Sequence, residues 1–165
     1  MISLDNKEYP EKVINVLKVL DSYDCNYQVR TFEEPAHHAK QAAALLNCPL
    51  GAVVKSLVFG IEGQEKYLLI LVSGQNKVYR RKLAKIIGKQ VYPAKPEKVL
   101  SVTGYPVGAV PPFGLRADLP VIIDEDIMNF QNLWASAGSV NALVKFQSSI
   151  MDQITNGKVY DIKKF

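Results

Sequence analysis

Apolar residues recur along this chain with two different periods. Four of them follow Pro10 at helical spacing and predict an amphipathic helix: Val13, Val16, Leu17 and Leu20. The runs 53–61 and 67–72 are instead almost continuously apolar, and the polar stretch 62–65 separates them. Two such runs around a glycine-containing turn predict a β-hairpin, and the lack of a polar face predicts a sheet that is covered on both sides.

The same patterns divide the rest of the chain into short helices and strands. Further helices are predicted over 39–46, 76–87, 96–102 and, from the capping-box spacing of Ser149 and Asp152, 149–157. Further strands are predicted over 26–32, 91–92, 120–124, 133–137, 142–146 and 159–162. Because hairpins are mixed with helices, the predicted fold class is α+β with a mixed sheet. A chain of 165 residues suits one domain, over residues 1–165.

One segment without charge interrupts this pattern. Residues 103–114 read Thr-Gly-Tyr-Pro-Val-Gly-Ala-Val-Pro-Pro-Phe-Gly, with three glycines and three prolines among apolar residues. Proline fixes φ and glycine enters positive φ freely, so this Gly/Pro loop is stiff and can hold backbone groups close to a ligand. A structural turn that joins a helix to a strand is the alternative interpretation, and the sequence leaves both open.

A lone lysine stands among the apolar residues of the first predicted hairpin strand. Lys55 is in phase with Val53, Leu57 and Phe59, since side chains alternate along a strand. Its ammonium is costly to bury without a partner. Either it reaches water near the start of the strand, or it is aimed at a phosphate or at the carbonyl oxygen of an ester.

Charge is distributed unevenly, although the net charge is only +4. Residues 77–98 carry eight Lys and Arg against one Glu, which gives +7 and leaves −3 for the remainder. This basic segment is either a solvated helix face or a surface that binds the phosphates of a nucleic acid. In the latter case Arg80, Arg81, Lys82 and Lys85 are the expected contacts.

Other chemistry finds little support in the sequence. His37 and His38 are adjacent and are expected on the surface near a helix start, and the acidic stretch 124–126 is expected at a strand end or a helix N-terminus. No zinc-ligand spacing, phosphate-binding P-loop or nucleophile elbow is present, so the chemistry of a nucleophilic Ser or Cys is not supported. With no apolar run of membrane length, no signal-like N-terminus and two cysteines without redox spacing, the expected location is the cytoplasm.

Five short motifs together resemble the YbaK family, which is related to the editing insertion domain of bacterial prolyl-tRNA synthetase. They cover most of the chain from about Thr31 and occur in this order: Val54-Lys-Ser-Leu-Val-Phe59, Val72-Ser-Gly74 followed by Arg81-Lys-Leu83, the Gly/Pro loop, Val121-Ile-Ile-Asp124, and Ala137-Gly-Ser139. The resemblance implies a mixed sheet that curls toward a barrel, flanked by helices.

The resemblance also implies an activity. Members are trans-editing aminoacyl-tRNA deacylases, which hydrolyse the ester between a wrong amino acid and the terminal adenosine of tRNA, without a metal or organic cofactor. The essential lysine of the family matches Lys55 and its Gly-x-x-x-Pro loop matches Gly108 to Pro112, which makes Lys55 and Gly108 the expected catalytic residues. The expected substrate contacts are Ser56, Pro112, Gly138 and Ser139. Mischarged tRNA is the expected partner, and an aminoacyl-tRNA synthetase is a second one.

Two departures leave the amino acid open. The cysteine-specific branch tends to carry Arg after the turn glycine, where this chain has Ser139. Some alanine-editing relatives carry His near that turn, whereas the two histidines of this chain lie far away in sequence. Neither cysteine nor alanine specificity follows, and the candidates are alanine, serine, threonine, cysteine and small non-protein amino acids. Two other functions also remain: a non-catalytic module of the same fold that binds tRNA or a synthetase, and a domain that binds or hydrolyses a small molecule unrelated to tRNA.

Overall fold

The computed structural model describes residues 8–165. The helices are α1 (Glu11–Ser22), α2 (Ala39–Leu46), α3 (Arg80–Ile87), α4 (Pro96–Thr103) and α5 (Met151–Thr155). The strands are β1 (Gln28–Thr31), β2 (Val54–Ile61), β3 (Tyr67–Ser73), β4 (Val91–Pro93), β5 (Val121–Asp124), β6 (Asn132–Ser139), β7 (Ala142–Gln147) and β8 (Lys158–Tyr160). The prediction about a secretory signal falls on the N-terminus, of which residues 1–7 lie outside the described residues.

The strands form two sheets. The smaller sheet has the order β1-β7-β6 and is antiparallel throughout. The larger has the order β4-β2-β3-β5-β8, with antiparallel pairs around β2 and parallel pairs on both sides of β5. A parallel bridge between Val53 and Trp134 connects the two sheets. The predicted mixed α+β fold is confirmed, but the strands are divided between two sheets and do not close into a barrel within the described part of the chain.

Three groups of buried side chains hold these layers together. The largest contains the apolar face of α1, where Val13, Val16, Leu17 and Leu20 are buried as their spacing predicts. A second group packs α3, through Leu83, against the outer face of β2 and β3. The third packs α2 against the smaller sheet, through Ala42, Trp134 and Leu143. Both faces of β3 are therefore covered, and the predicted continuous burial of this strand is confirmed.

Two helices begin later than their sequence patterns predict. The prediction for 76–87 was wrong over its first turn, because Val78 pairs with Lys163 and the N–H of Tyr79 donates to the carbonyl of Ile162 at 2.7 Å. These tertiary bonds extend residues 76–79 before α3 starts at Arg80. The predicted last helix is a 3₁₀ turn followed by the short α5, whose first residue is Met151, and no side-chain cap forms at its start.

Within residues 8–165, no helix combines the length and the apolar character that crossing a membrane requires.

Candidate functional site

A cavity of about 420 Å³ lies beside β2, where the two sheets meet the Gly/Pro loop. This volume is in the range of small-molecule sites. Most of the walls are apolar, and they come from β2, the end of β4, α4, the Gly/Pro loop, the start of α2, and the β6–β7 hairpin. The lining residues include Ala36, His37, His38, Ala42, Val54, Lys55, Ser56, Val58, Pro93, Ala94, Val99, Val107, Gly108, Val110, Ser136 and Leu143.

Lys55 contributes a positive charge to this cavity, and its ammonium makes one hydrogen bond within the protein. Its side chain is half-buried, and Nζ donates to the main-chain carbonyl of Asn76, in the extended segment after β3. An ammonium has three donors, so two are left for a ligand.

The side chain of Asn76 is held by two carboxylates. Its Nδ2 donates to Oδ2 of Asp124 and to Oδ2 of Asp126, both at 2.8 Å. Asp124 is fully buried and also accepts from the main-chain N–H groups of Ser73, at 3.0 Å, and of Asp126, at 3.1 Å. Asp126 is in turn paired with Lys163 at 2.8 Å. This network fixes the carbonyl that holds Lys55, and it confirms the predicted place of the acidic stretch at a strand end.

Burial lowers the pKa of Lys55 below the usual lysine range, because removal of water disfavours the charged ammonium. The negative charge of Asp124 opposes this shift and the positive charge of Lys77 adds to it. The Lys55 ammonium is therefore less well solvated than a surface lysine. An anionic ligand would relieve that cost.

The Gly/Pro loop places Gly108 at the rim of the cavity. The N–H of Ala109 donates to the carbonyl of Pro106 at 3.0 Å and closes a four-residue turn whose third residue is Gly108, with φ of 88°. This positive φ is typical of glycine at that position of a type II turn. Pro111 and Pro112 are buried behind the turn. The loop thus acts as a structural turn and as a wall of the cavity at once.

Sequence reasoning missed the role of the segment before α2. His37 and His38 are exposed, as predicted, but both line the mouth of the cavity. A Cβ atom at Gly108 would lie 3.6 Å from the carbonyl oxygen of His37. The hairpin turn sets this position, because the N–H of Ala36 donates to the carbonyl of Val140 at 2.7 Å and Nδ2 of Asn141 donates to the carbonyl of Phe32 at 2.9 Å.

Three of the six expected catalytic and substrate-contacting residues line the cavity, and three do not. Lys55, Ser56 and Gly108 lie in its walls. Pro112, Gly138 and Ser139 are absent from the lining that the described residues form. They belong to the Gly/Pro loop and the β6–β7 hairpin, other residues of which form walls of the cavity, and their contact with a substrate stays a prediction.

Gly138 has a packing role that the structure makes explicit. It lies in a bulge of β6 with φ of 99°. A Cβ atom there would approach Cε1 of Tyr105 to 2.8 Å and the carbonyl oxygen of Lys12 to 2.9 Å. Only glycine lets the hairpin approach α1 this closely. The neighbouring Ser139 accepts, through Oγ, the main-chain N–H of Asn141 at 3.2 Å and so braces the turn.

The four basic residues expected to bind tRNA divide into two pairs. Arg80 donates from Nε and Nη2 to the carbonyl of Val91, at 3.1 and 2.7 Å, and Lys82 pairs with Asp161 at 2.8 Å. Arg81 and Lys85 are exposed, and no ion pair within residues 8–165 involves either. Binding of tRNA by all four stays a prediction, and the second pair is the more available one.

Metal ligands are not clustered in the described residues: no group of three or more His, Cys, Asp or Glu side chains there could hold an ion. The polar groups at the cavity are instead an ammonium, hydroxyls, imidazoles and main-chain amides. Such a set suits an anion or an ester better than a metal ion.

Comparison with known proteins agrees with this chemistry. The sequence profile of the aminoacyl-tRNA editing domain matches residues 33–151. The protein YwhH of Bacillus subtilis is 30% identical over 132 residues, which cover 80% of this chain and 83% of YwhH. A proline–tRNA ligase of Desulfovibrio desulfuricans is 32% identical over 67% of this chain, but the match covers only 19% of that ligase.

A solved structure extends the similarity to the fold. It is described as a candidate trans-editing enzyme for prolyl-tRNA synthetase, and it is 30% identical to this chain with a TM-score of 0.86. The superposition covers 96% of this chain and all of the other. EbsC of Enterococcus faecalis, a candidate Cys-tRNA(Pro)/Cys-tRNA(Cys) deacylase, is 22% identical over 94% of this chain.

Proposed function

Because this chain belongs to the aminoacyl-tRNA editing domain family, we propose that it is a trans-editing deacylase of mischarged tRNA. The reaction is hydrolysis of the ester that joins a small amino acid to the terminal adenosine. The partner is the charged tRNA, with an aminoacyl-tRNA synthetase as a second partner, and the place of action is the cytoplasm.

The observation that carries this proposal is the meeting of Lys55 and Gly108 at one cavity. They are 53 positions apart in sequence and lie on different elements, yet both line the same apolar pocket. A cation with free donors beside a stiff backbone turn offers charge stabilisation and fixed geometry together.

Hydrolysis of an aminoacyl ester requires little beyond a positioned water and stabilisation of the oxyanion. Water attacks the ester carbon, negative charge develops on the former carbonyl oxygen, and the ribose oxygen leaves with a proton. In the proposed complex, Lys55 binds the terminal phosphate or the developing oxyanion, and the turn at Gly108 positions the substrate and the water. A hydroxyl of the ribose or of the amino acid is available to assist the proton transfer.

The proposed acyl group is a small amino acid. A volume of about 420 Å³ must receive the ester and part of the terminal nucleoside as well as the side chain. Alanine, serine, threonine and cysteine are the proposed amino acids, and Val54, Val99 and Val110 form part of the apolar wall of the cavity.

A deacylation panel tests the proposal. Alanyl-, seryl-, threonyl-, cysteinyl- and prolyl-tRNA are presented at equal concentrations, and release of the amino acid is compared with spontaneous hydrolysis. We expect acceleration for at least one of the small amino acids. Acceleration for none would contradict the proposed activity.

A non-catalytic tRNA-binding module is the second candidate. The exposed pair Arg81 and Lys85 lies outside the cavity and would retain affinity for tRNA without turnover. If the protein binds the charged tRNAs in a separate affinity measurement but hydrolyses none of them in the panel, this candidate is favoured over the deacylase.

A further inference from the structure

Part of the edge of β2 is free where it borders the cavity. On this side β4 pairs only with Phe59 to Ile61, and the N–H of Ala94 adds a bond at 2.9 Å to the carbonyl of Val58. The bridge from the smaller sheet reaches only Val53. No strand of the described chain pairs with the outer side of β2 between these two points.

The main-chain groups of Ser56 point out of this free edge. The carbonyl of Val53 accepts from Gly74 and the N–H of Ile61 donates to Lys66, so odd-numbered residues of β2 bond toward β3. Main-chain direction alternates along an antiparallel strand, and the even-numbered residues therefore face outward. The bond from Ala94 to the carbonyl of Val58 agrees with this alternation.

The hydroxyl of Ser56 is also without a partner. Its Oγ is buried and makes no hydrogen bond within the described residues, although Ser56 lines the cavity. A buried polar atom without a partner is costly and calls for an explanation. Ser56 thus presents its main-chain carbonyl and Oγ as acceptors, and its main-chain N–H and hydroxyl as donors, to a largely apolar cavity.

We propose that Ser56 receives the aminoacyl residue of the substrate as a one-residue antiparallel strand. The carbonyl oxygen and Oγ of Ser56 accept from the α-ammonium of the amino acid, and the N–H of Ser56 donates to the carbonyl oxygen of its ester. The amino nitrogen and carbonyl oxygen of an aminoacyl group are the same two atoms that a strand residue uses in pairing. This inference rests on the proposed function and names how its site recognises the substrate.

The pairing has a consequence for the reaction. When water adds to the ester carbon, the electron pair of the C=O bond moves to oxygen, and the N–H of Ser56 stabilises that oxyanion. The intermediate then expels the ribose oxygen, which takes the proton that the water gives up. The products are the free amino acid and the tRNA with its terminal hydroxyl. The substrate class is therefore aminoacyl-tRNA with an unblocked α-amino group.

Acetylation of the α-amino group of the substrate tests the role of the ammonium. Alanyl-, seryl-, threonyl- and cysteinyl-tRNA are each compared with their N-acetyl forms in single-turnover assays with the wild-type protein. Loss of charge-assisted hydrogen bonds predicts a fall in kcat/KM of roughly 10- to 100-fold on acetylation. Equal rates for the free and acetylated forms would overturn the proposal while leaving the deacylase activity in place.

Substitution of Ser56 tests the hydroxyl. Ser56→Ala should lower kcat/KM for the free aminoacyl-tRNA about tenfold, mainly through KM, and should have little further effect on the N-acetyl form. Ser56→Thr keeps the hydroxyl and should recover activity, and Ser149→Ala, an exposed serine outside the cavity, is the matched control. Equal loss on both substrate forms, or no loss at all, would contradict the assignment.

If the wild-type protein hydrolyses none of these substrates, the proposed function fails and binding decides the inference about Ser56. Free alanyl-tRNA must then bind more tightly than N-acetylalanyl-tRNA, and Ser56→Ala, which removes Oγ but keeps the main-chain carbonyl, must reduce the difference. Equal affinities would overturn the inference independently of catalysis.

Discussion

At Lys55, burial and neighbouring charges act in different directions. Burial and the charge of Lys77 lower the pKa of its ammonium, and the carboxylate of Asp124 raises it. The group is held at Nζ by the carbonyl of Asn76, so its position does not depend on a ligand. The ammonium is therefore preorganised to bind an anion, as a residue that stabilises developing negative charge must be.

The charge of Lys55 is therefore the first quantity to measure. In a protein labelled at lysine Cε, NMR titration should show Lys55 losing its proton at a lower pH than a lysine side chain in a model peptide, whose pKa is about 10.4. Lys77→Ala removes a neighbouring positive charge and should move the Lys55 midpoint to higher pH. Asp124→Asn should move it in the opposite direction. A Lys55 midpoint at or above the model-peptide value of about 10.4 would contradict this description of the site.

At the scale of elements, the Gly/Pro loop and the β6–β7 hairpin have different tasks. Both contain a glycine with positive φ, Gly108 and Gly138. Gly108 faces open space at the rim, with its nearest neighbours at 3.6 and 3.9 Å from a built Cβ, whereas Gly138 is enclosed by Tyr105 and α1. Gly108 therefore lies at the site, whereas Gly138 allows the hairpin to pack closely against α1.

Alanine substitutions should separate these tasks. Gly108→Ala should lower the free energy of unfolding by about 1–2 kcal/mol, from backbone strain alone. The variant should remain folded, and its deacylation rate should fall because the turn lies at the site. Gly138→Ala adds a clash to the strain and should cost roughly 3 kcal/mol or more. Denaturant unfolding and single-turnover rates, measured on both variants, check the contrast. Equal stability loss in the two would show that the packing around Gly138 is less tight than described.

Most elements of this fold could be predicted from sequence, because their apolar periodicity coincides with their burial. The four apolar residues of α1 and the continuous run of β3 are examples. The start of α3 could not be predicted, since Val78 and Tyr79 are extended by bonds to residues more than 80 positions away. The division of the strands into two sheets likewise depends on pairing partners that local patterns do not encode.

At the scale of the whole molecule, the sequence indicated three residues of the candidate site but not the two histidines at its mouth. Lys55, Ser56 and Gly108 were expected together through a family resemblance, and all three line one cavity. His37 and His38 join them only because the hairpin turn binds the segment 32–36. No spacing in the sequence signals that contact.

Charge is also a property of the whole molecule, and it gives a prediction about tRNA affinity. If the exposed pair Arg81 and Lys85 binds phosphates, a double substitution to alanine should weaken binding at low salt. It should also reduce the slope of log K against log salt by about 1 for each phosphate that the variant no longer neutralises. Affinity measured between 50 and 200 mM salt checks this.

Lys18, an exposed lysine on α1 and outside both the basic segment and the cavity lining, provides the control. Lys18→Ala should leave the salt slope unchanged. A flat salt response in the wild-type protein would instead favour a small-molecule substrate that does not include tRNA.

The most direct test of the central claim compares single-turnover deacylation by the wild-type protein and by Lys55→Ala, on the small aminoacyl-tRNA that the wild-type protein hydrolyses fastest. We predict a loss of roughly 100-fold or more in rate. The melting temperature should stay within a few degrees of the wild-type value, because Lys55 is only half-buried. A folded Lys55→Ala variant that deacylates at the wild-type rate would contradict the assignment of this cavity as the hydrolytic site.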